Sequence, residues 1–561
     1  MNAEQHKKEI QKSLKNKTIL LATWGCLVST SQECRDWQPI FRKIFKELFV
    51  FSFKNEFYYN GIESLNKKFL ELIKTEKPDY LLACPAYYEL YPETLIQIKK
   101  INPKMKTIIW FGDDEFRFDD FSRYYGIFFD YTLTVKKEMD VYHADNLMNA
   151  QFMIGVNPKY HCELKIPKIY DVTFIGTPVA DRYDYIKFLK ENGVNIALFG
   201  GDWHDYADLQ NIYHGFLEPD DFIKVINQSK INLNFSKTFF NLSQMKGRPI
   251  EMLACNAFVL NEYTNRTIDY LVNKKEINFS SKEELLKKIK YYLNHREERE
   301  KFAKEGQEHI LKNYVWEDLF EKYFEKIEAE PVKPFNLPEI KKKIFKITEK
   351  EINLPLIRLK TLLKDFDYVC FAKSPYTPLP HKEYFQSYSL FISDKQISIC
   401  DYFLSNHNLG DYLNLLSKKA FNTLSPEKFF KIFHINQIAA NKKFFFENFK
   451  IFQQLFNNNP ESAIKNNLLT NDKIVFISIP LVRVNMINTI DFKEMKPVMK
   501  TPFFDKLFAM VHQKKLTNPY IIKLFFLSYP GKKFVYQYLK ERIFSKSSWE
   551  ALKYFTPYVK K

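Results

Sequence analysis

Residues 245–260 read MKGRPIEMLACNAFVL. A Gly-Arg-Pro turn stands before an apolar helical segment, and Pro249 occupies the first helical position, where proline is favoured. A short apolar run over 257–260 follows and is typical of a buried strand. The stretch therefore predicts a helix that leads into a strand, the repeating unit of an α/β fold.

The start of this helix is suited to binding a diphosphate. Its first backbone N–H groups lack partners within the helix, and a helix N-terminus stabilises an anion by roughly 0.3–1 kcal/mol when exposed and up to about 2 kcal/mol when partly buried. The Arg248 guanidinium adds a charged hydrogen bond, and Lys246 and Gly247 belong to the same loop. Glu251 is placed to accept hydrogen bonds from ribose hydroxyls. The alternatives are an exposed helical carboxylate for Glu251 and a surface ion pair for Arg248.

The alternation of short apolar runs and amphipathic segments extends in both directions from this stretch. Over 18–153, and again over 170–260, it is typical of parallel strands joined by helices. Each half is predicted to be a doubly wound, Rossmann-like α/β domain, and ligands of such sheets collect beyond the carboxyl ends of the strands. In the first half, a ligand is therefore expected at the loops that follow Trp24, Cys84 and Phe111.

Three domains are expected, at 1–155, 156–330 and 331–561, because 561 residues exceed what one core supports. A linker bearing Pro331, Pro334 and Pro338 marks the last boundary. The third region is predicted to be basic and mainly helical, with a helix over 340–363 interrupted at Pro355. The apolar run 474–482 within it is predicted to be a buried strand.

Composition and charge restrict the cellular setting. The share of hydrophobic residues is 45%, which excludes wholesale disorder, and the seven cysteines form no CxxC pair, which favours a reducing cytosol. The polar N-terminus resembles no signal peptide, and no run of about 18 apolar residues occurs, so a cytoplasmic location is predicted. The net charge is +17, and residues 331–561 alone carry +19. That region is expected to meet an acidic polymer, a nucleic acid or an anionic membrane surface, unless its lysines only solvate helix faces.

A family resemblance follows from the order of motifs after residue 245. Arg-x-x-Glu at 248–251 stands before Ala-Cys-Asn at 254–256, and the pattern continues through acidic and aromatic positions to Trp316. This pattern resembles the C-terminal signature of CgeB-like, spore-maturation-type glycosyltransferases. The resemblance as a whole covers about residues 18–328. The resemblance implies a GT-B fold, a nucleoside-diphosphate sugar as donor, and neither a metal nor another cofactor. Asn256 replaces the usual glycine.

Ser243 is a second departure, because it stands where broader retaining relatives carry the first Glu of a Glu-x7-Glu pair. This leaves the retaining or inverting outcome open. The implied reaction transfers a sugar, of the hexosyl type, to a hydroxyl of a surface glycan, a glycolipid or a protein. The second half is expected to hold the donor and the first half the acceptor. The alternatives are a GT-B enzyme that acts on DNA and a non-catalytic module that binds a nucleotide or a partner.

Acidic residues at the end of an apolar strand form the candidate acceptor side. Residues 110–115 read WFGDDE, and carboxylates at a strand's carboxyl end can contact an acceptor hydroxyl. Mutual repulsion and partial burial raise the pKa of such a carboxyl toward the range of a general base. Asp114 is preferred over Asp113 as the base. The alternative is an N-cap of the next helix.

Two weaker donor-side positions follow from the same topology. Gly176 and Arg182 stand where the first loop of a nucleotide-binding half meets donor phosphates, although Arg182 also suits a helix surface. Gly201 ends the next strand and lets the backbone approach a ligand, whereas Trp203 is expected to pack in the core. The Asp-x-Asp at 365–367 is interpreted as a chance match. Histidine spacing suggests no metal site, and neither a P-loop nor G-x-G-x-x-G occurs.

Overall fold

A computed structural model describes most of the chain up to residue 485. The described residues are 3–27, 31–86, 88–145, 147–238, 242–332, 335–374, 377–406, 410–415, 421–422 and 424–485. Pro334 of the predicted linker and the predicted basic segment after residue 485 lie outside these residues.

The first domain is built on a six-stranded parallel sheet in the order β2-β1-β3-β4-β5-β6. Its strands are β1 Thr18–Thr23, β2 Glu47–Ser52, β3 Tyr80–Cys84, β4 Lys106–Phe111, β5 Tyr131–Thr134 and β6 Ala150–Phe152. The α-helices are α1 Ala3–Leu14, α2 Gln38–Ile44, α3 Phe53–Glu76 with a break at Gly61, α4 Pro92–Ile101, α5 Asp114–Arg117, α6 Arg123–Gly126 and α7 Asp140–Ala144. Single π-helical turns cover Glu33–Trp37 and Phe118–Ser122. The central strands are apolar throughout because helices cover both faces of the sheet.

The second domain repeats the plan with five parallel strands in the order β11-β10-β9-β7-β8. The strands are β7 Tyr170–Ile175, β8 Ile196–Phe199, β9 Ser229–Asn234, β10 Val259–Glu262 and β11 Asn278–Phe279. The helices are α8 Arg182–Glu191, α9 Pro219–Gln228, α10 Arg248–Ala254, α11 Asp269–Val272, α12 Lys282–Asn294, α13 Arg296–Asn313 and α14 Trp316–Ala329. Short 3-10 turns cover Trp203–Asp205, Ala207–Leu209 and Lys275–Ile277. The two sheets together form the predicted pair of Rossmann-like domains, which is the GT-B fold.

Helix α14, the last helix of the second domain in sequence, packs on the first domain. In α14, Trp316 and Phe320 lie 5.6 and 4.9 Å, between ring centroids, from Trp37 and Phe41 respectively. Both rings are almost fully buried. Helix α14 therefore follows the second domain in sequence and completes the core of the first domain in space.

The described part of the third region is a mixed α/β unit. Its strands are β12 Ile344–Ile347, β13 Tyr368–Phe371, β14 Thr377–Pro378, β15 Ile397–Asn406, β16 Gly410–Leu415, β17 Ile438–Asn441 and β18 Ile474–Asn485. Its helices are α15 Glu349–Ile352, α16 Leu356–Leu362, α17 Lys382–Ser393, α18 Pro426–Ile432, α19 Lys442–Glu447, α20 Phe449–Phe456 and α21 Glu461–Lys465. The sheet runs β12-β13-β17-β15-β18-β14, with β16 paired to β15.

The sequence predictions for the third region were correct in part. Helices are present, and the buried strand over 474–482 is confirmed as part of β18. The prediction of a mainly helical region missed the seven-stranded sheet. The predicted helix over 340–363 was wrong at its start, where β12 pairs with β13, because a short strand with mixed lysines shows little period-2 pattern.

The third region packs on the first domain through α17. Phe385 and Tyr388 lie 5.7 and 6.3 Å, between ring centroids, from Phe128 and Tyr124 respectively. The Tyr388 hydroxyl also donates to the Asp145 carbonyl at 3.2 Å. The two units therefore share one hydrophobic cluster.

Buried asparagines connect three neighbouring strands of the second sheet. The Asn234 side-chain amide donates to Asn261 Oδ1, and the Asn261 amide donates to Asn278 Oδ1, each at 2.7 Å. All three side chains are at most 4% exposed and stand in register. Asn261 thus satisfies a buried polar group on each side.

We expect Asn261→Leu to destabilise the second domain. The change leaves the polar atoms of Asn234 and Asn278 buried without these partners, and each such group costs about 1–3 kcal/mol. Urea unfolding followed by circular dichroism should show an earlier transition. Asn192→Ala is the control, because this exposed amide donates only to the Phe188 carbonyl four residues back in its own helix. Equal midpoints for the two variants would contradict the assigned role.

Candidate donor and acceptor site

The predicted donor residues converge on one edge of the second sheet. Strands β7 and β9 are neighbours, and their connections leave toward opposite faces, so a crevice opens beyond their carboxyl ends. The loop after β7 covers 176–181, and the loop after β9 leads to the start of α10 at Arg248. The topology therefore places the predicted diphosphate-binding turn at the switch point of the sheet.

Arg248 and Glu251 lie side by side at this edge. Arg248 Nη1 donates to the Ile175 carbonyl at 2.6 Å, and its guanidinium carbon lies 4.6 Å from the centroid of the Phe222 ring. Arg248 Nε is 3.4 Å from Glu251 Oε2. Both side chains remain partly accessible, at 36% and 28% exposure. The structure thus places these two groups side by side at a partly accessible position, and their roles toward a nucleotide stay predictions.

A buried histidine stands behind Glu251. His161 Nε2 lies 3.8 Å from the second oxygen of the Glu251 carboxylate. Burial lowers the pKa of His161 despite this neighbouring charge. A neutral imidazole at neutral pH leaves the Glu251 carboxylate available to hydrogen-bond donors from the groove.

Lys246 is the cation with the least compensation at this site. Its ammonium donates to Gln244 Oε1 at 3.1 Å, and within the described residues no carboxylate lies within 4 Å of it. Burial, followed by repulsion from Arg182, lowers the pKa of Lys246 to about 8, although Asp113 and Glu115 act in the opposite direction. Next to it, a Cβ placed on Gly247 would meet no atom within 4 Å. The turn thus combines an incompletely paired ammonium with open space.

Arg182 lies behind the donor loops. Only 8% of it is exposed, and its guanidinium donates to the carbonyls of Thr177 at 3.1 Å and Lys237 at 2.8 Å. Burial chiefly lowers its pKa, to about 10. In this structure the Arg182 side chain joins the loops that follow β7 and β9, and its contact with donor phosphates stays a prediction.

The glycines after β7 and β8 pack closely against each other. Gly200 has a φ of +122°, and a Cβ there would lie 2.1 Å from the Gly176 carbonyl oxygen. The same oxygen accepts a hydrogen bond from Trp203 Nε1 at 2.7 Å. A Cβ on Gly201 would make only an ordinary contact with Thr177, at 3.7 Å. Close packing between these two loops therefore requires a glycine at Gly200, the approach of a ligand to Gly201 stays a prediction, and the core position of Trp203 is confirmed.

The two neighbouring aspartates after β4 have opposite environments. Asp114 is 1% exposed and accepts hydrogen bonds from Ser122, Tyr142 and, at 2.9 Å, Thr134. Burial raises the pKa of Asp114. This enclosed carboxyl ties α5 to β5 and α7, so its geometry does not favour the predicted role as general base.

Asp113, in contrast, faces the second domain. It is exposed, and its Oδ1 accepts from Gln244 Nε2 at 3.0 Å, while the same amide donates to the Gly112 carbonyl at 3.1 Å. Asp113 precedes α5 but makes no side-chain capping hydrogen bond, so the N-cap alternative is not observed. Sequence reasoning missed Gln244, which connects the acceptor-side loop to the loop that carries Lys246.

Ion pairs also join the two halves beside the groove. Arg266 of the second domain pairs with Glu115, and its Nε lies 3.3 Å from Glu138 Oε1. Lys137 pairs with Asp269 at 2.8 Å. No motif in the sequence marks these residues, since the pairing depends on how the two domains meet.

A further carboxylate lies on the acceptor side. Glu33 begins the π-helical turn after β1, and its Oε2 lies 2.9 Å from the place that a Cβ on Gly25 would take. Burial is the main cause that raises the pKa of the Cys84 thiol at the end of β3, and the charge of Glu33 is the second. Glu33 therefore lies at the β1–β3 switch point, and its carboxylate makes no hydrogen bond or ion pair with the described residues. The sequence indicated the loop but not the residue.

A metal site and a membrane-spanning helix are both absent from the described residues. No group of three His, Cys, Asp or Glu side chains is arranged to hold a metal ion. No described helix combines the length and the apolar character needed to cross a bilayer.

The second domain matches a known family. Residues 182–325 match the family model described as glycosyl transferase-like, a segment that contains Arg182, Lys246, Arg248 and Glu251. No curated protein matches the chain. Together the family match and the GT-B fold support a sugar-transferring enzyme.

Solved structures with a similar arrangement include three glycosyltransferases of low sequence identity. A glycosyltransferase from Rickettsia africae ESF-5 is 13% identical, with 56% of this chain and 98% of that chain covered and a TM-score of 0.41. For T4 phage β-glucosyltransferase the identity is 14%, the coverage 56% and 100%, and the TM-score 0.39. For S. aureus TarM the identity is 13%, the coverage 48% and 59%, and the TM-score 0.36. The strand orders of the two parallel sheets define the fold.

We expect the affinity for a nucleoside diphosphate to fall as the pH rises through the pKa of Lys246. Below about pH 8 the Lys246 ammonium is charged, and above it the amine is increasingly neutral, while the diphosphate is already ionised because its last pKa is near 6. Calorimetric titration with UDP, GDP and CDP should show Kd rising about tenfold between about pH 7 and 9.

Lys246→Arg is the matched control for this titration. Its guanidinium stays charged across the range, so the pH dependence should flatten. If the two proteins gave the same pH profile, Lys246 would not be the group that titrates.

Proposed function

We propose that this chain is a metal-independent glycosyltransferase that transfers a sugar from a nucleoside diphosphate to an acceptor hydroxyl. The observation that carries the proposal is the group formed by Lys246, Arg248, Glu251 and the start of α10, at the β7–β9 switch point and across from Asp113. The family match over 182–325 supports it. The CgeB-like subtype belongs to the proposal, on the Arg-x-x-Glu motif at 248–251.

On the donor side, each group has one task. The backbone N–H groups that begin α10, with Lys246, stabilise the charge that develops on the departing diphosphate. Arg248 donates to the same phosphates, and Glu251 accepts from the ribose hydroxyls. Because these cations and N–H groups supply positive charge themselves, the proposed mechanism needs no metal ion.

On the acceptor side, we assign Asp113 as the base. The acceptor hydroxyl gives its proton to the Asp113 carboxylate, its oxygen bonds to the anomeric carbon, and the bond from that carbon to the diphosphate oxygen breaks. Glu33, at the neighbouring switch point, positions the acceptor by accepting a hydrogen bond from another of its hydroxyls. This single displacement inverts the anomeric configuration.

The donor assignment is tested with a panel of nucleotides. We expect UDP, GDP or CDP to raise the melting temperature, since a ligand at about 100 times its Kd stabilises the folded state by about 2.7 kcal/mol. Arg248→Ala should weaken this shift and lower kcat/KM by roughly 10- to 150-fold, the effect of losing a charged hydrogen bond of about 1.5–3 kcal/mol.

Arg296→Ala is the control for Arg248→Ala. Arg296 is 79% exposed on α13 and pairs only with Glu300, so its loss should leave turnover unchanged. A normal kcat/KM in Arg248→Ala would exclude this residue from the mechanism. Failure of the whole nucleotide panel to bind would refute the donor site.

Three substitutions separate the carboxylates. Asp113→Asn should lower kcat by about 10²- to 10⁴-fold with little change in melting temperature, because the residue is exposed and acts as the base. Asp114→Asn should lower the melting temperature, because a buried network loses its acceptor. Glu33→Gln should raise KM for the acceptor more than it lowers kcat. If Asp114→Asn kept its melting temperature and lost turnover instead, Asp114 rather than Asp113 would be the base.

The acceptor and the place of action are proposed from the third region. The described part of that region rests on the first domain, where the acceptor is expected, so a partner bound to this part is held on the acceptor side. Residues 331–561 together carry a charge of +19, which favours an anionic partner. We propose a surface glycan, a glycolipid or a protein as acceptor, and peripheral association with the inner face of the cytoplasmic membrane.

A further inference from the structure

Helix α16 in the third region presents aliphatic side chains to solvent. Ile357 is 81% exposed, and Leu356 and Leu362 are 39% and 43% exposed. The opposite side of the helix is anchored, since Leu359 and the following Leu363 are fully buried. The outward aliphatic residues therefore lie on a fixed helix and not on a loop that could withdraw them.

Cations surround these aliphatic residues. Arg358, Lys360 and Lys364 are exposed, and Lys442 reaches the end of α16, where its ammonium donates to the carbonyls of Leu363 at 3.3 Å and Lys364 at 3.1 Å. In the described part of the chain, none of these four cations has a carboxylate within 4 Å. Asp365 is an exposed acid at the edge, and the surface remains net positive.

Exposed aliphatic side chains next to cations favour one kind of anionic partner over another. Exposed lysine and arginine suit both phosphate backbones and lipid headgroups. The exposed side chains of Leu356, Ile357 and Leu362 gain nothing from a phosphate backbone, but they gain from entering the boundary between headgroups and acyl chains. A bilayer that carries acidic lipids satisfies both halves of the surface.

We propose that α16, with Lys364 and Lys442, is a membrane-docking surface that inserts Leu356, Ile357 and Leu362 among the headgroups of an anionic bilayer. It makes specific the membrane association proposed above, and it does not depend on the glycosyl-transfer chemistry. The third region and the first domain share a core, so docking through α16 holds the acceptor side at the membrane.

Co-sedimentation of the full chain with vesicles tests this surface. Vesicles of phosphatidylcholine with phosphatidylserine should bind the protein, more strongly at low salt, and pure phosphatidylcholine should bind it weakly. Ile357→Glu with Leu362→Glu should reduce binding to the anionic vesicles by about tenfold or more, and so should Arg358→Glu with Lys360→Glu.

Matched controls lie on the second domain. Phe216, which is 75% exposed, serves as Phe216→Glu, and the exposed Lys287 and Lys290 of α12 serve as a double lysine-to-glutamate variant. Both should bind vesicles like the unchanged protein. All variants should keep their melting temperature and their nucleotide-induced thermal shift, which separates loss of docking from failure of the donor site.

Three results would overturn the proposal. They are equal binding of the α16 variants and the unchanged protein, equal binding to neutral and anionic vesicles, and no vesicle binding by the full chain. Duplex DNA that binds the chain and is lost in the Arg358→Glu, Lys360→Glu variant but not in the Ile357→Glu, Leu362→Glu variant would assign the surface to nucleic acid instead.

Discussion

The packing of α14 on the first domain is the interaction on which the geometry of the groove depends. Trp316 lies against Trp37, and a Cβ on Gly155 would come within 2.8 Å of the Trp316 ring. The backbone is joined at the same place, where Val156 N–H donates to the Tyr314 carbonyl at 2.8 Å and Trp316 N–H to the Val156 carbonyl at 3.0 Å. The chain passes between the two domains twice, near residues 156 and 315, and these hydrogen bonds join the two passages. The carboxyl ends of the two sheets therefore face a common space.

The chemistry of that space follows from how the cations are compensated. The Arg182 guanidinium is occupied by backbone carbonyls, and Lys237 lies between Asp181 and Glu262, at 2.5 and 3.1 Å. Burial opposes the charge of Lys237, but these hydrogen bonds outweigh it and raise its pKa. Within the described residues Lys246 has no carboxylate within 4 Å, and burial lowers its pKa. Unlike the buried Arg182, Lys246 is partly accessible and stands next to the open turn, where the leaving diphosphate is proposed to lie.

The sequence predicted most of the first 330 residues, because parallel strands covered on both faces are continuous apolar runs and their helices have a clear period. It also placed Arg248 beside Glu251, since three residues along a helix lie on one face. It could not tell Asp113 from Asp114, because their burial depends on Thr134 and Tyr142, which come from later elements. The sheet of the third region was missed for the same reason, since its strand pairs depend on contacts between segments far apart in sequence.

The third region has a mechanical consequence for the whole molecule. Because α17 and α14 both pack on the first domain, that domain, its sheet and the third region form one large body. The second domain joins this body through the crossings near residues 156 and 315, together with the contacts of Gln244 and Arg266. Any widening of the groove must therefore rotate the smaller second domain, which is proposed to hold the nucleotide, and break the contacts of Gln244 and Arg266. If the large body docks on a membrane as proposed, the smaller second domain faces the surrounding solution, an arrangement that suits an enzyme taking one substrate from each.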